Sequence, residues 1–150
     1  MSTERFITFY QTFERIIKNI KRIAAPVMQS YGLRSVHTTA FLALRNCPDG
    51  LTVTELAKEC FIDKALASRL VKELLANEYI VAVSESEKKY NKRYVLTPNS
   101  RKILTELNCR ITEFVCEAGQ NIDPNDLANF YEVLAELDCN IDAITKNQNN

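Results

Sequence analysis

The sequence predicts a mainly α protein with a small β-hairpin wing, a winged helix-turn-helix flanked by long N- and C-terminal helices. Three observations predict it. Residues 51–76 hold two short helices, each with its own start signal and separated by a tight turn. Two β-prone runs then flank a polar, lysine-rich segment, as in a projecting hairpin. The chain closes on an apolar seam with 3-4 spacing, the mark of a helix that packs against another helix.

Taken in order, Glu4 to about Ala24 places Phe6, Phe9, Tyr10, Phe13, Ile16, Ile17, Ile20 and Ile23 on one helical stripe, with Arg15, Lys18 and Arg22 opposite. Pro26 kinks or divides this helix, and Gly32 suits its end. A second helix starts near Ser35 and runs to Cys47-Pro48, where Asp49-Gly50 turns into a short strand. Thr52-Val53-Thr54-Glu55 is a capping box for the third helix, whose Leu56, Ala57 and Cys60 face the core.

The fourth helix carries the functional signal. Asp63 is placed to accept from its first free amides. Leu66, Ala67, Leu70, Val71 and Leu74 form the core stripe, and Lys64, Ala65, Ser68, Arg69 and Lys72 form the opposite face. Small residues between cations let a helix backbone approach base edges, so this face fits a DNA major groove. An isolated charged helix face is usually only solvated; the two caps, the short turn and the hairpin shift the balance to DNA. Ile80, Val81 and Val83 pair with Tyr94, Val95 and Leu96, and Lys88, Lys89, Lys92 and Arg93 surround the tip. Such cations reach phosphates or the minor groove. No acid nearby in sequence is placed to brace a guanidinium, which favours phosphates for Arg93.

Thr97-Pro98 and Asp123-Pro124 each read as an N-cap followed by proline at the first helical position, opening helices over roughly 98–118 and 124–145. In the last, Leu127, Phe130, Leu134, Leu137, Ile141 and Ile144 make the seam. Long amphipathic helices beyond the needs of one winged module are explained by a second copy. A two-fold dimer would set two recognition helices in successive grooves of a palindrome. Packing of the same stripes within one chain is the alternative.

These residues resemble the MarR family of winged-helix transcription regulators. The match rests on Gly32-Leu33, the run Leu51–Lys58, the run Asp63–Leu74 and the closing Leu96-Thr97. The chain departs at the wing, where the family's Asp-x-Arg pair corresponds to Lys88 and Tyr90, so that Lys89 or Arg93 would have to stand in. It departs again at Phe61, Glu78 and Ser100, where glycine is common. The resemblance implies a single MarR-like domain over 1–150. Residues 1–33 and 98–150 are its dimerisation helices, and residues 34–97 its DNA-binding module. It also implies a small aromatic or lipophilic effector in a cleft between them. Tyr10, Phe13, Tyr31 and Phe41 could line that cleft, or equally pack a core.

Composition agrees. A chain of 150 residues, 46% hydrophobic and 25% charged, suits one globular domain, and no apolar run or leader points to a membrane, so cytoplasmic residence is expected. Net charge is zero, but residues 98–150 carry nine acids against four Lys/Arg, leaving the basic surplus to the rest. No catalytic constellation, phosphate loop, cofactor motif or metal-ligand spacing is present, and an enzyme is not expected. Cys47, Cys60, Cys109, Cys116 and Cys139 make no C-x-x-C pair, and His37 is the only histidine. The peroxide-sensing branch of the family has its reactive cysteine in the first long helix; this chain has none there. The reading is a homodimeric, sequence-specific regulator, a repressor answering to a small effector. The rivals are a thiol- or metal-switched regulator and a winged-helix protein-interaction module.

Overall fold

The computed structural model describes residues 2–83 and 92–148. The elements run α1 (Thr3–Ser30), α2 (Val36–Asn46), α3 (Val53–Glu59), α4 (Lys64–Ala76), β1 (Ile80–Val83), β2 (Arg93–Leu96), α5 (Ser100–Ala118) and α6 (Pro124–Gln148). The chain divides into two compact units, residues 1–114 and 115–150.

The first unit has one apolar core. Met28 of α1, Phe41 and Leu44 of α2, Leu56 of α3, Leu70 and Leu74 of α4, Ile80 of β1 and Ile103 and Leu107 of α5 are all buried in it. The α4 stripe is as its spacing predicts: Ala67, Leu70, Val71 and Leu74 are buried and Leu66 is half-buried. Both start signals are made. Thr52 and Glu55 form the reciprocal capping box, and the Asp63 carboxylate accepts from the Leu66 amide at 2.8 Å.

Three helices end in the same way. At the close of α1, α3 and α4 the amide two residues past the cap donates back to the carbonyl three before it. The pairs are Leu33 to Met28, Ile62 to Ala57 and Tyr79 to Leu74, at 2.9–3.0 Å. This geometry needs a left-handed residue between, usually glycine. Gly32 supplies it after α1, but Phe61 (φ 53°) and Glu78 (φ 57°) supply it before and after α4. A side chain at such a φ carries a backbone cost of roughly 1–2 kcal/mol.

Three expectations are corrected. Pro26 neither divides α1 nor ends it; the helix runs on to Ser30, with Ala24 and Met28 buried on either side of the proline. The missing N–H forfeits one ladder bond, which burial on that side of the helix outweighs. Leu51 is no strand but a single bridge, exchanging both backbone hydrogen bonds with Tyr94, because the Thr52 cap at once turns the chain into α3. Gly50 before it has φ 80°, and a Cβ there would lie 2.8 Å from the Tyr94 carbonyl oxygen. The helix after the wing starts at Ser100 rather than Pro98: Thr97 is no N-cap, since its hydroxyl donates to the Glu78 carbonyl. The buried Ser100 hydroxyl donates to the Tyr79 carbonyl, so the serine where glycine is common ties α5 to the start of β1.

β1 and β2 pair antiparallel, Ile80 opposite Leu96 and Val83 opposite Arg93. In α1 full burial is confined to the C-terminal end; Phe9 and Phe13 are half-buried, and Phe6, Ile7, Tyr10, Ile16, Ile17 and Ile20 are all at least 40% exposed. The second unit is dominated by α6, opened by Asp123-Pro124 as expected, with Asp123 accepting from the Asn125 amide. None of its described side chains is fully buried. Leu127, Leu134 and Leu137 are half-covered, and Phe130, Ile141 and Ile144 are exposed.

Candidate nucleic-acid interface and effector cleft

The face opposite the α4 core stripe is solvated. Lys64, Ala65, Arg69 and Lys72 are exposed and Ser68 is half-buried. Among the described residues none of these side chains forms a hydrogen bond or ion pair, so the cations keep their donors for a partner. They sit on a helix fixed at its start by Asp63 and on its other side by the core, which makes the spacing of the donors rigid.

The wing is described only at its base. Lys88 and Lys89 lie outside the described residues, and Lys92 is half-buried at the start of the return strand. Arg93 departs from what its sequence neighbours imply. Its guanidinium folds back onto the turn between α2 and α3, donating to the Gly50 carbonyl at 2.8 Å and to the Asp49 carbonyl at 3.2 Å. The Glu55 carboxylate stands 3.3 Å away. An acid does brace this guanidinium, but it comes from the α3 capping box, 38 residues earlier. Both Arg93 and the Thr52 amide hold the Glu55 carboxyl below its ordinary value of 4.5, the Thr52 hydrogen bond contributing most.

A second cluster was not visible in the sequence. His37, only 1% exposed, has Nδ1 3.0 Å from the Arg34 amide and 3.1 Å from the Arg34 carbonyl; in the tautomer in which Nδ1 accepts from the amide, Nε2 carries the ring proton. Nε2 lies 2.8 Å from Glu73 on α4, off the line of a good hydrogen bond. The same carboxylate accepts from the Arg34 guanidinium at 2.8 and 3.0 Å, and that donor lowers the Glu73 carboxyl from its usual range. The cluster ties the start of α2 to the C-terminal part of α4. Its only sequence signal was a lone histidine at a helix start.

A cleft of about 600 Å³ opens between α1, α2, the α3–α4 turn and α5. Ile17, Ile20 and Ala24 line it from α1, Val36, Thr38, Thr39 and Leu42 from α2, Cys60, Phe61 and Ile62 from the turn, and Ile111 from α5. Lys21 and Glu14 of α1 also line it. The four aromatic candidates are elsewhere. Phe41 is in the core edge-on to Tyr79, and the Tyr31 hydroxyl donates to Glu106, which pushes its pKa up to about 12. Tyr10 and Phe13 lie nearer the start of α1, and the Phe13 ring is tilted at 39° against Phe9, 4.4 Å between centroids. Aromatic content alone could not tell core from cleft. Burial pushes the Cys60 thiol up to about 11, leaving it protonated and unreactive at neutral pH. Cys109, Cys116 and Cys139 are exposed and free. Among the described residues no group of acids, histidines and cysteines could hold a metal ion, and no helix is long and apolar enough to cross a membrane.

A solvated basic helix seated in a helix-turn-helix, followed by a hairpin whose base is braced to it, is the architecture of a winged helix-turn-helix. The MarR family profile matches residues 31–89. A MarR family transcriptional regulator from Silicibacter pomeroyi DSS superposes with a TM-score of 0.76 at 26% identity, with 91% of each chain covered. A MarR transcriptional regulator from Methanosarcina mazei Go1 does so at 0.76 and 16% identity, covering 89% of this chain and 98% of that one. Staphylococcus aureus MarR, solved in complex with salicylate and kanamycin, does so at 0.70 and 18% identity, covering 90% and 91%. No curated protein sequence matches the chain. The similarity to the MarR family thus lies in residues 31–89, and the described helices and strands have the fold of these solved structures.

Proposed function

We propose that the protein is a homodimeric, sequence-specific DNA-binding transcription regulator, a cytoplasmic repressor whose hold on a palindromic operator is altered by a small effector. The observation that carries this reading is the free face of α4. Lys64, Ala65, Ser68, Arg69 and Lys72 are presented on a helix whose other side is the core, and nothing among the described residues occupies them. Bidentate contacts from such a face discriminate bases, while Lys92 and the wing lysines Lys88 and Lys89 add phosphate attraction. Arg93 enters this account as the residue that holds the wing base rather than as a groove contact.

The dimer is supported by exposed apolar residues on the terminal helices, from Phe6 to Ile20 of α1 and from Phe130 to Ile144 of α6, a pattern that a second copy would cover. On this reading residues 1–33 and 98–150 pair the copies and residues 34–97 meet DNA, the whole chain acting as one regulator. An effector is supported by the apolar cleft behind the α3–α4 turn and by the salicylate complex of Staphylococcus aureus MarR. Selection of bound duplexes from a random pool tests the core of the proposal. A palindromic consensus with half-sites about one helical turn apart is expected; recovery of no preferred sequence by the folded protein refutes it.

A further inference from the structure

Phe61 is 95% exposed, in the turn that leads into the reading helix. It occupies the left-handed position that closes α3, where glycine would relieve the backbone and expose nothing apolar. Packing within the chain therefore does not account for a phenylalanine here. Phe61 lines the cleft, and so does Thr38, a residue more than nine-tenths buried whose hydroxyl has no hydrogen-bond partner among the described residues. A buried hydroxyl left without a partner is costly and points to a ligand atom that completes it. The cleft volume of about 600 Å³ suits a small molecule, and its walls at Ile20, Leu42 and Ile111 are apolar.

We propose that Phe61 is the residue that closes this cleft over its occupant, a flat apolar molecule whose one hydrogen-bond acceptor takes the Thr38 hydroxyl proton. The proposal rests on the effector reading given above and names the residue that turns occupancy into a change at α4. Ile62, next in the chain, returns the α3 cap bond to Ala57, and Asp63 after it holds the Leu66 amide at the start of α4. When the Phe61 ring moves onto a ligand, the residues that set the first turn of the reading helix must move with it. Coupling of this kind needs no distant relay, because gripping residue and helix cap are two positions apart.

The test is titration of 2-naphthoate, a flat apolar carboxylate, into the full chain. Isoleucine methyl resonances are followed at Ile20, Ile62 and Ile111 inside the cleft and at Ile144 outside it. Saturable shifts confined to the cleft methyls are expected in the wild type. Phe61→Gly keeps the left-handed turn and should weaken naphthoate about tenfold, while Phe61→Leu stays within about threefold. Thr38→Val, nearly the same shape, should weaken it about fivefold, as one lost hydrogen bond does. Naphthoate should also release operator DNA from the wild type and release it less from Phe61→Gly. If the wild-type cleft methyls do not respond, the effector reading fails and this proposal with it. If they respond but Phe61→Gly binds naphthoate as tightly as wild type, the role of Phe61 alone is overturned. Equal naphthoate affinity with a weakened dimer or weakened operator binding also overturns it, placing Phe61 on a surface between copies or against DNA.

Discussion

Replacing Glu73 with alanine tests how α4 is held near its C-terminal end. The carboxylate receives the Arg34 guanidinium and stands beside the buried Nε2 of His37. The Arg34 pair is half-exposed on both sides, 59% and 41%, so screening limits it to about 0.5–1 kcal/mol. The His37 proton has no other acceptor within reach among the described residues. Stranding a buried donor costs about 1–3 kcal/mol, of which the poor alignment leaves roughly 1 kcal/mol to lose. Alanine returns a few tenths through helix propensity. Glu73→Ala should therefore destabilise the protein by about 1–2 kcal/mol, Arg34→Ala by under about 1, and Glu73→Gln by about 0.5–1, since the amide oxygen still accepts. Urea unfolding at one fixed protein concentration measures this, fixed because a dimer's stability depends on it. If Glu73→Ala costs no more than Arg34→Ala, His37 gains nothing from Glu73 and the reasoning is wrong. The pH dependence has a definite sign. The folded carboxyl is held below its ordinary value of 4.5, so the tie is complete above that value and is lost as pH falls through the lowered one.

Three further outcomes are expected. Ser68→Ala and Arg69→Ala should each weaken operator binding by about 1–3 kcal/mol while leaving the folded protein intact, measured by titration of the selected duplex; unchanged affinity in both removes α4 from the groove. Leu134→Asp, in the seam of α6, should give monomers and lose operator binding, and sedimentation of an intact dimer would refute the seam. Arg93→Ala should lower stability by about 1–2 kcal/mol through the freed turn carbonyls and Glu55. It should also shift the slope of log affinity against log salt by less than one unit, because the guanidinium is committed within the protein; a full unit or more would mean that it binds phosphate.

What the sequence disclosed was local. Caps at Thr52, Asp63 and Asp123 depend on residues three positions apart or fewer, and the α4 stripe on 3.6-residue spacing, so both were legible. The bracing of Arg93 was not, because its acceptors come from residues 49, 50 and 55, brought close only by the fold. The same holds for Glu73, whose partners Arg34 and His37 precede it by more than thirty residues. Proline misled twice. Inside α1 its local cost was outweighed by the burial of Ala24 and Met28, and at Pro98 the Thr97 side chain was already engaged with Glu78. Aromatic residues pointed to a cleft in general, but the walls are built by isoleucine, leucine and valine together with Phe61.

The left-handed residues on either side of α4 bear on how such a sequence drifts. Glycine at position 61 or 78 would relieve a backbone cost of roughly 1–2 kcal/mol, yet it would free the unfolded chain by about 0.4–1 kcal/mol. The balance leaves glycine ahead by roughly 0.5–1 kcal/mol. Stability alone would therefore drift these two sites toward glycine, and a larger residue stands there against that pull. Positions held against the preference of folding are the ones where other demands on the molecule decide the side chain, and here they lie at the two ends of one helix.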